Sequence, residues 1–228
     1  MNVKFYRVGG CVRDQMLGVK SKDIDYAVEA PSYKAMLQEI VNRKGEVFLE
    51  KPEYLTVRAK VPKLGACDFV LCRKDGAYYD GRRPDTVEPG TLHDDLSRRD
   101  FTVNAMAISE DGRLIDPFGG SEDLEYRELV CVGSAMERFG EDQLRMLRAI
   151  RFSVTKGMGL SPEIEEALFN PELRDGLVNN VSEERVYEEL MKAFRHNTLE
   201  TLQILNFFKL DKLLLDGKMW LKPTLEKR

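Results

Sequence analysis

The sequence predicts an α+β fold, in which a mixed sheet with flanking helices is followed by an all-helical module. In the first part of the chain, stretches rich in β-branched and aromatic residues alternate with stretches of helical periodicity. From about Ser134 onward, apolar residues recur at helical spacing in EDQLRMLRAIRFSV, SPEIEEALF, SEERVYEELMKAF and LETLQILNFF. We therefore expect two domains, covering residues 1–135 and 136–228.

The first part is expected to hold most of the strands. We predict strands over residues 3–8 and 23–29 and in EVFLE, YLTVRAKV and ACDFVLCR, and helices over residues 11–17, 32–43 and 92–105. Short strands around Met106 and Leu129 would complete this half. In the second part, Ser161-Pro162 and Ser182 are residue types that begin helices.

The composition is ordinary for a soluble globular protein, with 43% hydrophobic and 32% charged residues. The formal net charge of −4 argues against a general nucleic-acid coating protein, so nucleic-acid contacts would have to come from local basic patches. Four cysteines without a C-x-x-C pair and only two histidines argue against a disulfide scaffold or a zinc site. Since no stretch is apolar enough for a signal peptide or a membrane span, we expect a cytoplasmic protein without a membrane partner.

The sharpest local signal is a pair of aspartates in KDIDYAV. Asp23 and Asp25 stand at positions i and i+2 of a predicted strand, so their side chains are expected on the same face. Like charges there are unfavourable unless a cation lies between them. Mg²⁺ prefers such oxygen ligands, and two of these ions can activate an attacking hydroxyl and stabilise leaving pyrophosphate.

A glycine pair precedes the aspartates in VGGCVRD. Gly9 and Gly10 join a predicted strand to a helix, where backbone N–H groups can receive a phosphate, and Arg13 could add a charge-assisted hydrogen bond. Asp68, in the later strand ACDFVLCR, is the best candidate for a third carboxylate. Each signal alone has a simpler interpretation: D-x-D is common, Gly-Gly is usually a turn, and Asp68 could face solvent.

The motifs in series resemble a known family. GGCVRD, DIDYAV, DGRRPD, RRDFTVNAM, DPFGG and EDQLRMLRAIRF occur in this order. They resemble the class II tRNA nucleotidyltransferase and bacterial poly(A) polymerase family, within the polymerase-β-like nucleotidyltransferase superfamily. The resemblance runs from Val8 to about Phe152 and continues weakly through SEERVYEEL. It implies a polymerase-β-like head with a helical neck, while the family's body and tail domains are apparently absent.

The resemblance also implies roles for residues of the head. Asp23 and Asp25 would be the metal ligands, with Asp68 where the family has its third acidic residue. The residues that face the triphosphate or hold ribose and phosphates would be Gly9, Gly10, Arg13, Arg98, Arg99, Asp100 and Asn104. Arg82 and Arg83 would lie in a loop that adjusts during nucleotide addition.

In the neck, Asp142 and Arg145 match the family's protein template for the incoming base, and Arg148 lies one turn further. At i and i+3 of a predicted helix, the pair would share one face. Aspartate would accept from an exocyclic amine and arginine would donate to a ring nitrogen, as cytosine and adenine allow. Uracil or guanine would leave buried groups unpaired, at about 1–3 kcal/mol each. The alternative by spacing alone is a surface salt bridge contributing about 0.3–0.5 kcal/mol.

The resemblance implies in-line attack of an RNA 3′-hydroxyl on the α-phosphate of CTP or ATP, with CCA addition to tRNA as the leading expectation. Open alternatives are a poly(A) polymerase, an enzyme adding only A or only C, nucleotidyl transfer to a small molecule or protein, and a non-catalytic RNA- or nucleotide-binding module. Because the family's tRNA-gripping domains appear to be missing, an oligomer or a partner could supply the RNA contacts.

Overall fold

The computed structural model describes residues 3–21, 23–62, 64–76 and 85–215. The described residues divide into two compact units, the first ending at Glu125 and the second beginning at Tyr126. The first unit contains the large sheet and the second is mainly helical. The domain limits expected from the sequence, near residue 135, stay a prediction.

The first unit alternates strands and helices. Its strands are β1 (Lys4–Val8), β2 (Ile24–Glu29), β3 (Glu46–Lys51), β4 (Thr56–Val61), β5 (Gly65–Leu71), β6 (Arg73–Asp75), β7 (Val87–Pro89), β8 (Ala107–Ser109) and β9 (Leu114–Ile115). Its helices are α1 (Gly10–Met16), α2 (Tyr33–Asn42), α3 (Leu92–Ser97) and α4 (Gly120–Tyr126), with 3₁₀ turns at Pro52–Tyr54 and Thr102–Asn104.

Seven strands form one mixed sheet in the order β3-β4-β5-β2-β1-β8-β9. Neighbouring strands are antiparallel except β2 and β5, which are parallel. The parallel pair requires the chain to cross over through α2, β3 and β4 before β5 can lie beside β2. This arrangement confirms the α+β fold with a mixed sheet and flanking helices.

One face of the sheet packs against α2. Ser32 caps this helix by accepting a hydrogen bond from the Ala35 backbone N–H, so the helix begins one residue later than predicted. Met36 and Ile40 then point inward and pack with sheet residues such as Phe69. Burying each such side chain contributes about 1.5–3 kcal/mol, so the α2 contacts hold β2 and β5 in place.

The second unit contains α5 (Ala135–Glu141), α6 (Leu144–Lys156), α7 (Pro162–Phe169), α8 (Pro171–Asn179), α9 (Glu183–His196), α10 (Thr198–Phe207) and α11 (Asp211–Leu215). The predicted helix starts at Ser161-Pro162 and Ser182 are confirmed, since these serines are the N-cap residues of α7 and α9. α6 and α9 pack against each other through apolar faces. None of the described helices is both long and apolar enough to cross a membrane.

Two sequence-based element predictions are wrong. The helix predicted over residues 92–105 ends at Ser97, because the Asp100 carboxylate accepts a hydrogen bond from the Phe101 backbone N–H, which a continuing helix would have used. The short strand predicted at Leu129 is present, but it does not complete the first half of the chain. β10 (Glu128–Leu129) instead pairs in parallel with β11 (Gly159–Leu160) in the second unit.

The cysteine thiols are all buried. Cys11, Cys67 and Cys72 lie in the first unit and Cys131 lies in the second, and none is part of a disulfide. Burial raises the pKa of Cys67 and of Cys72, which favours the neutral thiol.

Candidate active site

The sheet places two of the three predicted carboxylates side by side. Asp25 on β2 pairs in register with Asp68 on the parallel strand β5, and Asp68 pairs in register with Arg58 on β4. Directly opposed residues on neighbouring strands share a face of the sheet. Arg58, Asp68 and Asp25 therefore form a row across three strands.

The carboxylates of this row differ in their partners. Arg58 donates to both oxygens of Asp68, at 2.5 Å from Nε and 2.7 Å from Nη2, so the charge of Asp68 is balanced. The carboxylates of Asp23 and Asp25 make no hydrogen bond or ion pair with the described residues. Asp23 lies one residue before β2, not within it as predicted, and is exposed.

The surroundings of Asp25 disfavour the charged form of its carboxyl group relative to that of a free aspartate. Burial raises the pKa of Asp25, and the negative charges of Asp68 and Asp23 raise it further, while Arg99 and Arg58 oppose this effect. A cation beside Asp23 and Asp25 would relieve this repulsion, so the residues present fit a divalent metal ion. Within the described ranges, His, Cys, Asp and Glu side chains form no ready-made cluster of three metal ligands.

A buried carboxylate that the sequence analysis missed holds two of the predicted arginines. Asp95 on α3 is 1% exposed and forms ion pairs with Arg98 and with Arg99, the latter at 3.0 Å from Nη2. Burial alone would raise the pKa of Asp95, but the two guanidinium groups outweigh burial and hold it below its usual range. The i, i+3 and i, i+4 spacing in DDLSRRD could have revealed this cluster.

Arg99 also reaches the glycine turn. Its Nη1 donates to the Asn104 carbonyl at 3.0 Å. Gly9 has a φ of +71°, and a Cβ there would lie 2.8 Å from the same Nη1. Glycine is therefore required at this position both for its conformation and for the space it leaves, whereas Gly10 simply begins α1.

Asn104 joins the remaining predicted residues of the head. Arg13 is buried, donating from Nη1 to Asn104 Oδ1 at 2.5 Å and from Nη2 to Asp14 at 2.8 Å. Asn104 Nδ2 in turn donates to Asp100 Oδ1 at 3.0 Å. The structure thus brings Arg13, Arg99, Asp100 and Asn104 together at the glycine turn, while Arg98 contacts Asp95 at the edge of this group.

The DPFGG motif holds the backbone next to the residues gathered at the glycine turn. The Asp116 carboxylate accepts hydrogen bonds from the Gly120 and Ser121 backbone N–H groups at 2.8 Å each, and so anchors the start of α4. A Cβ at Gly120 would lie 2.2 Å from the Thr102 carbonyl oxygen. This close backbone approach fixes the 3₁₀ turn that carries Asn104.

The described cavity of about 260 Å³ lies on the other face of the sheet. Its lining includes Arg7, Tyr26, Arg43 and Phe69. Tyr26 follows Asp25 in β2, and successive strand residues point to opposite faces. The carboxylate row is therefore an open surface and not part of this cavity.

In the second unit, the prediction that Asp142 and Arg145 share one helix face is wrong. α5 ends at Glu141 and α6 begins at Leu144, so Asp142 lies in the extended link between them. Its Oδ1 accepts a hydrogen bond from the Leu144 backbone N–H at 3.1 Å. A short carboxylate satisfies the free donors of a helix start better than it extends the helix, and Arg145 alone lies within α6.

The predicted template residues pair with other charged groups of the second unit. Asp142 Oδ2 accepts from Arg185 Nη2 at 2.7 Å, and Arg145 Nη1 donates to Glu141 at 2.6 Å. Arg148 lies 3.9 Å from the buried Glu189. Arg82 and Arg83 lie outside the described residues.

Comparison with known proteins identifies the family. The model of the poly(A) polymerase head domain family matches residues 5–130. The chain belongs to the poly(A) polymerase head domain family. Its matched segment contains β1 to β9, the carboxylate row and the glycine turn. This confirms the family resemblance predicted from the six motifs, and membership of this nucleotidyltransferase family implies dependence on a divalent metal ion.

Curated relatives of this family member are CCA-adding enzymes. The enzyme of Lactococcus lactis subsp. cremoris is 41% identical over 189 residues, which cover 82% of this chain and 45% of the relative. The enzyme of Geobacillus stearothermophilus is 39% identical over 194 residues, covering 82% of this chain and 44% of the relative. The chain spans about half the length of the curated relatives it matches.

Solved structures of such enzymes share the fold. The crystal structure of the Bacillus stearothermophilus CCA-adding enzyme in complex with CTP matches with a TM-score of 0.80 at 33% identity, covering 95% of this chain and 51% of that one. A tRNA nucleotidyltransferase complexed with a primer tRNA and an incoming ATP analog matches with a TM-score of 0.77 at 32% identity, covering 96% and 61%. The site roles and the identity of the metal stay predictions for this chain.

Proposed function

We propose that this chain carries the catalytic part of a template-independent RNA nucleotidyltransferase that adds C and A from CTP and ATP to the 3′ end of tRNA. The observation that carries the proposal is the pair Asp23 and Asp25, whose carboxylates make no hydrogen bond or ion pair with the described residues. Asp25 lies beside Asp68, which is paired with Arg58, in a family-matched sheet. Similarity to enzymes solved with CTP, and with primer tRNA and an ATP analog, supports the choice of substrates.

Asp23 and Asp25 would hold the divalent metal, for which Mg²⁺ is our choice. When bound, the ions lower the pKa of the attacking hydroxyl and neutralise charge that develops at the α-phosphate. Asp68, fixed by Arg58, keeps its carboxylate beside Asp25 as the third acidic group. While it is paired with Arg58, Asp68 acts by positioning its neighbours, and it could bind a metal ion itself only if Arg58 moved away.

The arginines around Asn104 would bind the triphosphate. Asp95 fixes the direction of Arg98 and Arg99, and Asp14 with Asn104 fixes Arg13, so these cations are oriented before the nucleotide arrives. Groups oriented in advance stabilise developing charge without reorganising during the reaction. The RNA 3′-oxygen then bonds to the α-phosphorus, the bond from the α-phosphorus to the oxygen bridging to the β-phosphate breaks, and pyrophosphate leaves while the hydroxyl proton passes to solvent.

Base choice would belong to the second unit. We assign it to Asp142 and Arg145, with Arg148 one turn further along α6, on the family pattern. Asp142 lies in the link before α6 and not on a face of that helix, so Asp142 and Arg145 do not share a helix face. An acceptor beside a donor still matches the amine and ring nitrogen of cytosine and of adenine.

The proposal is tested by offering Mg²⁺ and each labelled nucleoside triphosphate to three RNAs: tRNA lacking CCA, tRNA ending in CC, and unstructured RNA. We expect C and then A on the first, a single A on the second, and little product on the third. Long A tracts on unstructured RNA would instead identify a poly(A) polymerase, and absence of incorporation with every RNA would overturn the proposal.

A further inference from the structure

Arg185 contacts the proposed base-reading carboxylate from a different helix. It lies in the first turn of α9 and donates from Nη2 to Asp142 Oδ2 at 2.7 Å. The side chains of Arg185 and Asp142 are 24% and 17% exposed, so water screens this ion pair only partly. Because α9 packs along α6, the position of Arg185 is set by a rigid helix pair.

The contact fixes the orientation of the carboxylate. The other oxygen of Asp142 accepts from the Leu144 backbone N–H at 3.1 Å, so the two oxygens are held from α6 and from α9. Each carboxylate oxygen has two lone pairs, and each retains the capacity to accept a further hydrogen bond. Asp142 can therefore receive an exocyclic amine without releasing either protein partner.

Among the described residues, the guanidinium of Arg185 makes its hydrogen bond and its ion pair with Asp142. Its Nη1 atom is buried and finds no hydrogen-bond partner among the described residues. Asp142 is therefore the residue that the described part of the chain places in polar contact with this guanidinium.

We propose that Arg185 is a positioning residue for base selection, which acts by holding Asp142 as an oriented hydrogen-bond acceptor. This inference rests on the proposed function, because it deepens the assignment of Asp142 to the base. Without Arg185, the Asp142 carboxylate keeps only its hydrogen bond from Leu144 and can rotate away from the base. The amine of cytosine then loses its hydrogen-bond acceptor, and the carbonyl of uracil is no longer repelled by a carboxylate oxygen. Cytosine and uracil then become harder to distinguish.

The test compares kcat/KM for CTP and for UTP on tRNA lacking CCA. Arg185→Gln should lower the ratio of the two values roughly 10-fold, mainly through slower use of CTP. Arg185→Lys keeps a charge but not the planar fork and should give an intermediate ratio. Arg195→Gln, an exposed arginine of the same helix, serves as the matched control and should leave the ratio unchanged.

A double variant separates positioning from general structure. In an Asp142→Asn background, Arg185→Gln should cause no further change in the ratio, because the residue through which it acts is already altered. An unchanged ratio in Arg185→Gln, or an equal loss in the Asp142→Asn background, would overturn the inference and leave the proposed function intact. If the wild-type chain shows no base preference, both proposals fail. Should Arg185→Gln melt below the assay temperature, Arg185→Lys decides: a wild-type ratio overturns the inference and an intermediate ratio supports it.

Discussion

Asp25 lies half-buried beside two other carboxylates, so a bound cation would favour its charged form. Its raised pKa has burial as the largest cause, followed by the charge of Asp68. An asparagine would fit the same space without carrying this charge. The arrangement is understandable if a divalent metal compensates the charge during the reaction.

Removing the charge of either Asp23 or Asp25 should abolish nucleotide addition. Asp25→Asn and Asp23→Asn are expected to lower incorporation of CTP by at least about 100- to 1000-fold, because a preorganised charge at the reacting phosphate is lost. The measurement is incorporation of labelled CTP into tRNA lacking CCA, with circular dichroism to verify folding. Asp111→Asn, an exposed aspartate in the turn between β8 and β9, is the control. Activity retained in Asp25→Asn would refute the metal assignment.

The same substitution should stabilise the metal-free protein. A carboxyl group with a raised native pKa contributes stability below its unfolded pKa and loses it as pH rises through the native value. At pH 7 in EDTA, Asp25→Asn should therefore melt about 1–4 °C higher than wild type, and the difference should vanish near pH 3. Excess Mg²⁺ should raise the melting temperature of wild type more than that of the variant. A lower melting temperature for the variant at pH 7 in EDTA would contradict this account.

At the residue scale, the sequence indicated which side chains carry the chemistry more accurately than it indicated which residues those side chains contact. The alternation in KDIDYAV identified Asp25, but the pairing of Asp68 with Arg58 depends on strand register, which local sequence does not specify. Asp142 was placed on a helix because the apolar spacing of the following residues is helical. Its capping contact with Leu144 could be found only from the backbone.

At the level of elements, α3 carries the carboxylate that holds two proposed phosphate-binding arginines. Its N-terminus is fixed by a reciprocal capping box between Thr91 and Asp94. Its next residue, Asp95, turns inward to Arg98 and Arg99. The early end of this helix is therefore part of the site, since a continued helix would carry Asp100 away from Asn104.

Breaking the ion pairs of Asp95 with Arg98 and Arg99 should destabilise the first unit. Asp95→Asn is expected to lower the free energy of unfolding by about 3 kcal/mol, at the low end for a broken buried ion pair because the arginines are 23% and 21% exposed. The lowered native pKa of Asp95 means that this stability is present above the unfolded value near 4 and is lost as pH falls through the native value. Urea unfolding at pH 7 and pH 3 measures both effects. Asp94→Asn should lower the free energy of unfolding by only about 1 kcal/mol. Equal losses of stability in the two variants would argue against a special role of the Asp95 ion pairs.

Two helical glycines should respond in opposite ways to the same substitution. Gly120→Ala places a Cβ 2.2 Å from the Thr102 carbonyl oxygen and should lower stability by about 1–3 kcal/mol. Gly140→Ala in α5 meets no atom within 4 Å and should raise stability by about 0.5–1 kcal/mol. Thermal melts of the two variants provide the comparison. A neutral Gly120→Ala would show that the close backbone approach is not required.

At the scale of the whole molecule, the order of elements was largely predictable and their partners were not. Hydrophobic periodicity located β1, β2, α2 and four of the described helices after Ser134, namely α6, α7, α9 and α10. The motif series indicated the family. The strand at Leu129 was assigned to the first half of the chain, but its partner, Gly159–Leu160, comes about 30 residues later and each strand has only two residues. Such a short non-local pair leaves no periodic signal.

The buried cysteines should make the intact protein resistant to thiol reagents. A thiolate is the reactive form, and burial together with raised pKa values suppresses it at Cys67 and Cys72. We expect all four thiols to react at least about 100-fold more slowly than free cysteine in native buffer. Mass spectrometry after timed alkylation measures each site, and fast labelling of any of them would contradict the burial seen here.

This shielding has a practical consequence for studying motion. A cysteine introduced at an exposed position such as Asp111 or Arg195 would be the only fast-reacting thiol, so native cysteines need not be removed before attaching a fluorophore. One dye in each unit would then report the distance between them by energy transfer while nucleotide and RNA are added.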